Sequence, residues 1–91
     1  MSLELYFGNR VENKMRERGV SEEEIRQAIL TGIISPADLG RSRATRVFTD
    51  GYHHGGADYP HKEIQVVFVV EPWATVVVTV IARYGFWRGA E

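Results

Sequence analysis

Two valine-rich runs four residues apart constrain the fold of this chain more than any other feature. Lys62-Glu63-Ile64-Gln65-Val66-Val67-Phe68-Val69-Val70 and Thr75-Val76-Val77-Val78-Thr79-Val80-Ile81-Ala82-Arg83 flank Glu71-Pro72-Trp73-Ala74. Residues this densely β-branched and aromatic favour extended backbone, so the segment reads as a hairpin. With a three-residue loop at Pro72 to Ala74, strand alternation gathers Ile64, Val66, Phe68 and Val70 with Val76, Val78, Val80 and Ala82 on one apolar face. The opposite face carries Glu63, Gln65, Glu71, Thr75, Thr79 and Arg83, with Glu63 directly across from Arg83. A slip of one residue would exchange the faces, so burial specifies the register. One face builds a core and the other is open for chemistry.

Upstream, the signals are helical. The segment ending at Gly8-Asn9 reads as a strand or an extended arm, and Asn9 is placed to cap a helix whose partial stripe is Val11, Met15 and then Val20. Gly19 stops that helix after Arg18. Ser21 opens a second one, with Glu24 three residues on as its capping-box partner and Glu22 and Glu23 in the favourable first turn. Ile25, Ala28 and Ile29 give this helix an apolar face, and Thr31-Gly32 closes it. Ile33 to Gly40, with Ser35-Pro36 and Asp38, reads as a loop. Ala44 to Thr49 reads as a further strand, and Asp50-Gly51 opens a loop of about ten residues reaching His61, longer than hairpins use and typical of functional segments. Beyond Tyr84 the tail either adds a strand edge or frays.

This order predicts an α+β domain with two N-terminal helices packed on one face of a three- to four-stranded antiparallel sheet. The 91 residues suffice for one domain burying roughly 60–65% of its unfolded surface. Residues 1–91 are therefore read as a single unit, with a helical part at 8–32, the sheet at 44–84 and a tail at 85–91. The absence of cysteine excludes disulfides, thiolate metal sites and a cysteine nucleophile. The first eight residues lack a basic stretch followed by a long apolar one, and the valine runs are too short for a membrane helix, so the expectation is a cytoplasmic protein with no membrane partner. Net charge is −1, but Arg10, Lys14, Arg16 and Arg18 lie close together, as do Arg41, Arg43 and Arg46. Such local patches bind phosphate even on a neutral protein.

From Met15 to Gly32 the chain resembles a family of small bacterial domains of unknown function whose opening helices share M-x-x-R-G-[IV]-[ST]-x-x-E-[IV]-x-x-A-[IL]-x-x-G. Val78-Thr79-Val80-Ile81 suits that family's closing hairpin, and the resemblance covers most of Lys14 to Arg83. Such domains are similar to the barnase, EndoU, colicin and RelE group of ribonuclease toxins, which lay one or two helices against an antiparallel sheet and cleave RNA without metal on its exposed face. The resemblance implies a metal-independent endoribonuclease acting on single-stranded or transfer RNA, and an antitoxin or immunity protein as partner. Members often carry a histidine about one turn before the methionine. Here Arg10 and Asn13 stand near that place.

Metal-free RNA cleavage needs a proton acceptor, a proton donor and cations for the phosphorane. His53, His54 and His61, all in the long loop, are the candidate proton-transfer groups, and Arg83 is the candidate phosphate holder, with Arg46 beside it. Arg43 and Lys14 are further RNA-binding candidates, and Tyr52 and Tyr59 are candidate stacking surfaces for unpaired bases. Arg83 is equally placed to pair with Glu63 across the strands, and alternation sends Tyr84 to the apolar face. His53, His54, Asp58 and His61 are metal-ligating types, but they lack the fixed spacing of strong motifs; no metal or cofactor is assigned. A second reading is a non-catalytic interaction module, a homodimer joined through an exposed strand edge or the Phe86-Trp87 tail.

Overall fold

A computed structural model describes residues 3–90. The chain runs β1 (Leu5–Phe7), α1 (Val11–Arg18), α2 (Glu22–Thr31), β2 (Ile33–Pro36), a short 3₁₀ turn (Asp38–Gly40), β3 (Ser42–Phe48), β4 (Tyr52–His54), β5 (Ala57–Tyr59), β6 (His61–Val70) and β7 (Thr75–Gly85). It is an α+β fold. Five strands form one sheet in the order β1-β7-β6-β3-β2, and β4 and β5 form a separate two-stranded ribbon.

The sheet is larger than expected and mixed rather than antiparallel. β1 joins its edge parallel to β7, pairing Leu5 with Thr75 and Phe7 with Val77. On the far side Ile33–Pro36, expected as a loop, pairs antiparallel with β3. Proline is tolerated there because β2 is an edge strand and Pro36 ends it. The segment expected as one long loop contains the β4–β5 ribbon, turned at Gly55 and Gly56, whose φ of 61° and 81° only glycine adopts freely.

The central hairpin keeps the expected register at one end only. Glu63 opposes Arg83 and Val66 opposes Val80, whereas Phe68 opposes Val77 and Val70 opposes Thr75. Glu71 and Ala74 exchange both backbone hydrogen bonds around Pro72-Trp73, so the turn is tighter than the three-residue loop anticipated. A bulge absorbs the difference, leaving Val78 unpaired and reversing side-chain parity nearer the turn. Val77 rather than Val76 or Val78 therefore enters the core, and Val70 is exposed.

Ser21 forms both halves of its capping box with Glu24. Gly19 ends α1 with φ of 70°. The residue that precedes α1 is Arg10, at φ 71°, and it makes no side-chain cap; Asn9 does not cap the helix. α2 lies against β3 and β6 and α1 against β7. Val11, Val20, Ile25 and Ala28 join Ala44, Ile64, Val66, Phe68, Val77 and Val80 in a single core, each large aliphatic contributing roughly 1.5–3 kcal/mol by burial. Because β1 pairs only with Thr75–Val77, the rest of β7 would be a free edge, and α1 protects it. Arg18 Nη1 donates to the Val80 carbonyl (3.0 Å), and Lys14 Nζ reaches Thr79 Oγ1 (3.0 Å). Among the described residues no helix is long and apolar enough to cross a membrane.

Candidate functional site

The sheet separates the sequence-nominated residues into two groups. Alternation in β6 sends Lys62, Ile64 and Val66 towards the helices, and sends His61, Glu63 and Gln65 to the open side.

On the helix side the β4–β5 ribbon folds over the α1–α2 junction. The buried Lys62 donates from Nζ to the Gly19 carbonyl (2.8 Å) and to the Glu24 carboxylate (2.8 and 3.0 Å), beneath the rings of Tyr52 and Tyr84 at 4.5 and 5.6 Å. His54 stacks on Tyr84 at 4.3 Å, and Tyr59 packs on the same ring. The Tyr84 hydroxyl donates to the Arg18 carbonyl. Burial, reinforced by the Glu24 carboxylate, raises the pKa of Tyr84. Tyr52 is raised by burial above all, with the Asp50 and Glu24 charges acting in the same direction. Arg46 lies over Phe48 and donates to Gln27 and Thr31 of α2. A cleft of about 310 Å³ here is lined by Glu23, Glu24, Gln27, Arg46, Phe48 and Asp50. Three carboxylates against one guanidinium make it a poor seat for a polyanion.

The open face is built in three rungs across β3, β6 and β7: Val47-Glu63-Arg83, Thr45-Gln65-Ile81, and Arg43-Val67-Thr79. Arg83 is exposed. Its Nη1 lies 3.9 Å from Glu63 Oε1, a loose ion pair without a hydrogen bond, while Gln65 Nε2 donates to the same oxygen at 3.0 Å. Lys14 arrives over the β7 edge at Thr79, and Arg43 adds a second guanidinium on the same rung, with its Nε buried and unpartnered among the described residues. At the other end of the face Tyr6 and Trp73, 55% and 61% exposed, meet edge to face at 5.3 Å. The distance from Val76, beside Tyr6, to Arg83 along β7 is roughly 23 Å, room for several nucleotides.

His61 also belongs to this face but is covered. The tail turns back so that Phe86 stacks on its ring at 5.3 Å and the Trp87 backbone N–H donates to Nδ1 at 2.9 Å. The three histidines thus do not converge around Arg83. His53 is exposed on the ribbon and paired with Asp58 at 2.7 Å, His54 packs on the helix side, and His61 sits under the tail. Among the described residues no three His, Asp or Glu side chains are placed to share a metal ion.

Of the nominated residues, Arg83, Arg43, Lys14 and His61 therefore share the open face. Arg46, Tyr52, Tyr59, His53 and His54 belong to the helix side or the ribbon, so Arg46 does not stand beside Arg83. Sequence reasoning passed over the burial of Lys62, although its spacing of two from Ile64 places it on the core side. It also read Glu63 only as an ion-pair partner. Compared with family models, curated proteins and solved structures, the chain matches none.

Proposed function

We propose that the open sheet face binds single-stranded RNA and cleaves it without a metal, as the resemblance to the small ribonuclease toxins implies. The observation that carries this reading is the grouping of Arg83, Arg43 and Lys14 around Glu63 and Gln65 on the sheet face opposite the helices, beside the end that the tail covers. Arg83, held only loosely by Glu63, is free to take a phosphate in two hydrogen bonds. Arg43 and Lys14 extend the cationic track, and Tyr6 and Trp73 offer ring faces to unpaired bases.

In this reading Glu63 accepts the proton of the attacking 2′-hydroxyl and Arg83 stabilises the phosphorane, and as the P–O5′ bond breaks to leave a 2′,3′-cyclic phosphate the departing 5′-oxygen takes its proton from solvent water. Gln65 holds the carboxylate in place. The three histidines take no part in proton abstraction, because two lie across the sheet and the third is capped by Phe86 and Trp87.

Incubation of the purified chain with transfer and messenger RNA in EDTA tests the proposal. Cleavage is expected, with a loss of roughly 10²–10⁴-fold in Glu63→Gln, the range for a removed general base, and a comparable loss in Arg83→Ala. His54→Ala is expected to cleave like the parent. Absence of cleavage, or cleavage indifferent to Glu63 and Arg83, removes the reading.

A further inference from the structure

The two long edges of the sheet are treated differently. The β7 edge is closed by α1 through Arg18, Lys14 and the short β1. Among the described residues β2 pairs only with β3, and all four of its residues are exposed. Of the devices that blunt natural edge strands β2 has shortness and its terminal Pro36, but from Thr31 to Ala37 no residue carries a charge.

Large apolar side chains flank this edge. Leu30, Ile33, Ile34 and Leu39 are 58%, 77%, 50% and 86% exposed. Leu39 is held outward in the left-handed region at φ 60°, a conformation that costs a non-glycine residue about 1 kcal/mol or more. Together the four side chains offer roughly 400–500 Å², spread over both sides of the edge because Ile33 and Ile34 point to opposite faces of the sheet. That area is about half of one side of a standard interface, which fits weak association.

We propose that β2 pairs antiparallel with β2 of a second copy, extending the sheet through a two-fold axis at Ile34. The patch is self-complementary about that point. Directly opposed residues must share a face, so Ile34 meets Ile34 of the copy and Ile33 meets Ser35 on each side. The two leucines lie on opposite flanks of Ile34 in sequence, and the two-fold axis brings the Asp38-Leu39 turn of each copy to the α2 end, at Leu30, of the other. No like charges are opposed along the strand. The pairing is independent of the RNA reading, since it uses the sheet edge and leaves Arg83 and Glu63 open.

The cysteine-free chain permits a direct test. Opposed residues of an antiparallel pair have Cα atoms about 4.5–5.5 Å apart, within disulfide reach. Ile34→Cys is therefore expected to oxidise rapidly to a covalent dimer at micromolar concentration. Val70→Cys, more exposed than Ile34 but at the turn of the central hairpin on β6, two strands in from the β2 edge, is expected to cross-link much more slowly. Sedimentation of the unmodified chain should show its mass rising from one to two chain masses with concentration, and Ile34→Lys should weaken this by about tenfold or more through like charges placed face to face. Circular dichroism confirms that each variant is folded. Equal cross-linking of the two cysteine variants, a strictly monomeric parent, or growth beyond two copies overturns the proposal.

Discussion

Replacing Lys62 by methionine is the most informative perturbation of the fold. The ammonium is buried and bound by the Gly19 carbonyl and both Glu24 oxygens beneath two tyrosine rings. It ties β6 to the junction of the two helices. Methionine preserves most of the stem packing but leaves the Glu24 carboxylate, itself largely buried, without its cation. Removing one member of a buried pair costs about 3–5 kcal/mol, and the retained packing places this variant near the lower figure. Against a stability of roughly 5–14 kcal/mol for a domain of this length, such a loss is large. It corresponds to a fall in Tm of about 12–24 °C.

Glu24→Gln separates the two tasks of that side chain, since the amide oxygen can still accept from the Ser21 backbone N–H as Glu24 does. Urea denaturation of Lys62→Met, Glu24→Gln and the double variant gives a coupling energy. The expectation for groups in direct contact is about 1–3 kcal/mol. A Lys62→Met cost below about 1 kcal/mol, the range of a surface pair, refutes the claim that this lysine fastens sheet to helices.

Gly19→Ala is expected to destabilise by about 2 kcal/mol or more in the same assay. A Cβ there would lie 2.7 Å from Tyr84 Oη at a backbone φ of 70°, adding a clash to the left-handed penalty. Tyr84 predicts an alkaline limit. Burial raises its pKa in the folded state, so the stabilisation is fully present below about pH 10, the unfolded value, and is lost as pH rises through the folded value. Tyr84→Phe should lose about 1 kcal/mol at neutral pH with the Arg18 hydrogen bond and show a shallower decline above pH 10 than the parent. A parallel decline in both proteins counts against it.

Local signals carried most of what could be read without coordinates. The Ser21–Glu24 capping box, the Gly19 stop and the Glu63–Arg83 register each depend on residues close in sequence or fixed by strict alternation. Non-local pairing was not legible. β1 gains its strand character only from Thr75–Val77, more than sixty positions away, and Ile33–Pro36 is extended because β3 is beside it, against its own turn-like Ser35-Pro36. The bulge at Val78 lies within an unbroken valine run, where neither parity betrays itself by a polar residue. For the candidate site, alternation placed Arg83 on the polar face, Arg43 was nominated from charge clustering alone, and Arg46, expected beside Arg83, faces the helices. The separation of the histidines was not foreseen, because the path of the β4–β5 ribbon over Tyr84 is a tertiary event.

The proposal that the sheet face opposite the helices is the nucleic-acid surface is tested most directly by NMR titration of the labelled chain with a short single-stranded RNA at several salt concentrations. Salt-dependent shifts at Arg43, Gln65, Thr79 and Arg83, with those around Arg46, His54 and Tyr59 unmoved, are the predicted result. Shifts confined to the helix side and the ribbon, or a spectrum unchanged by RNA, would contradict it.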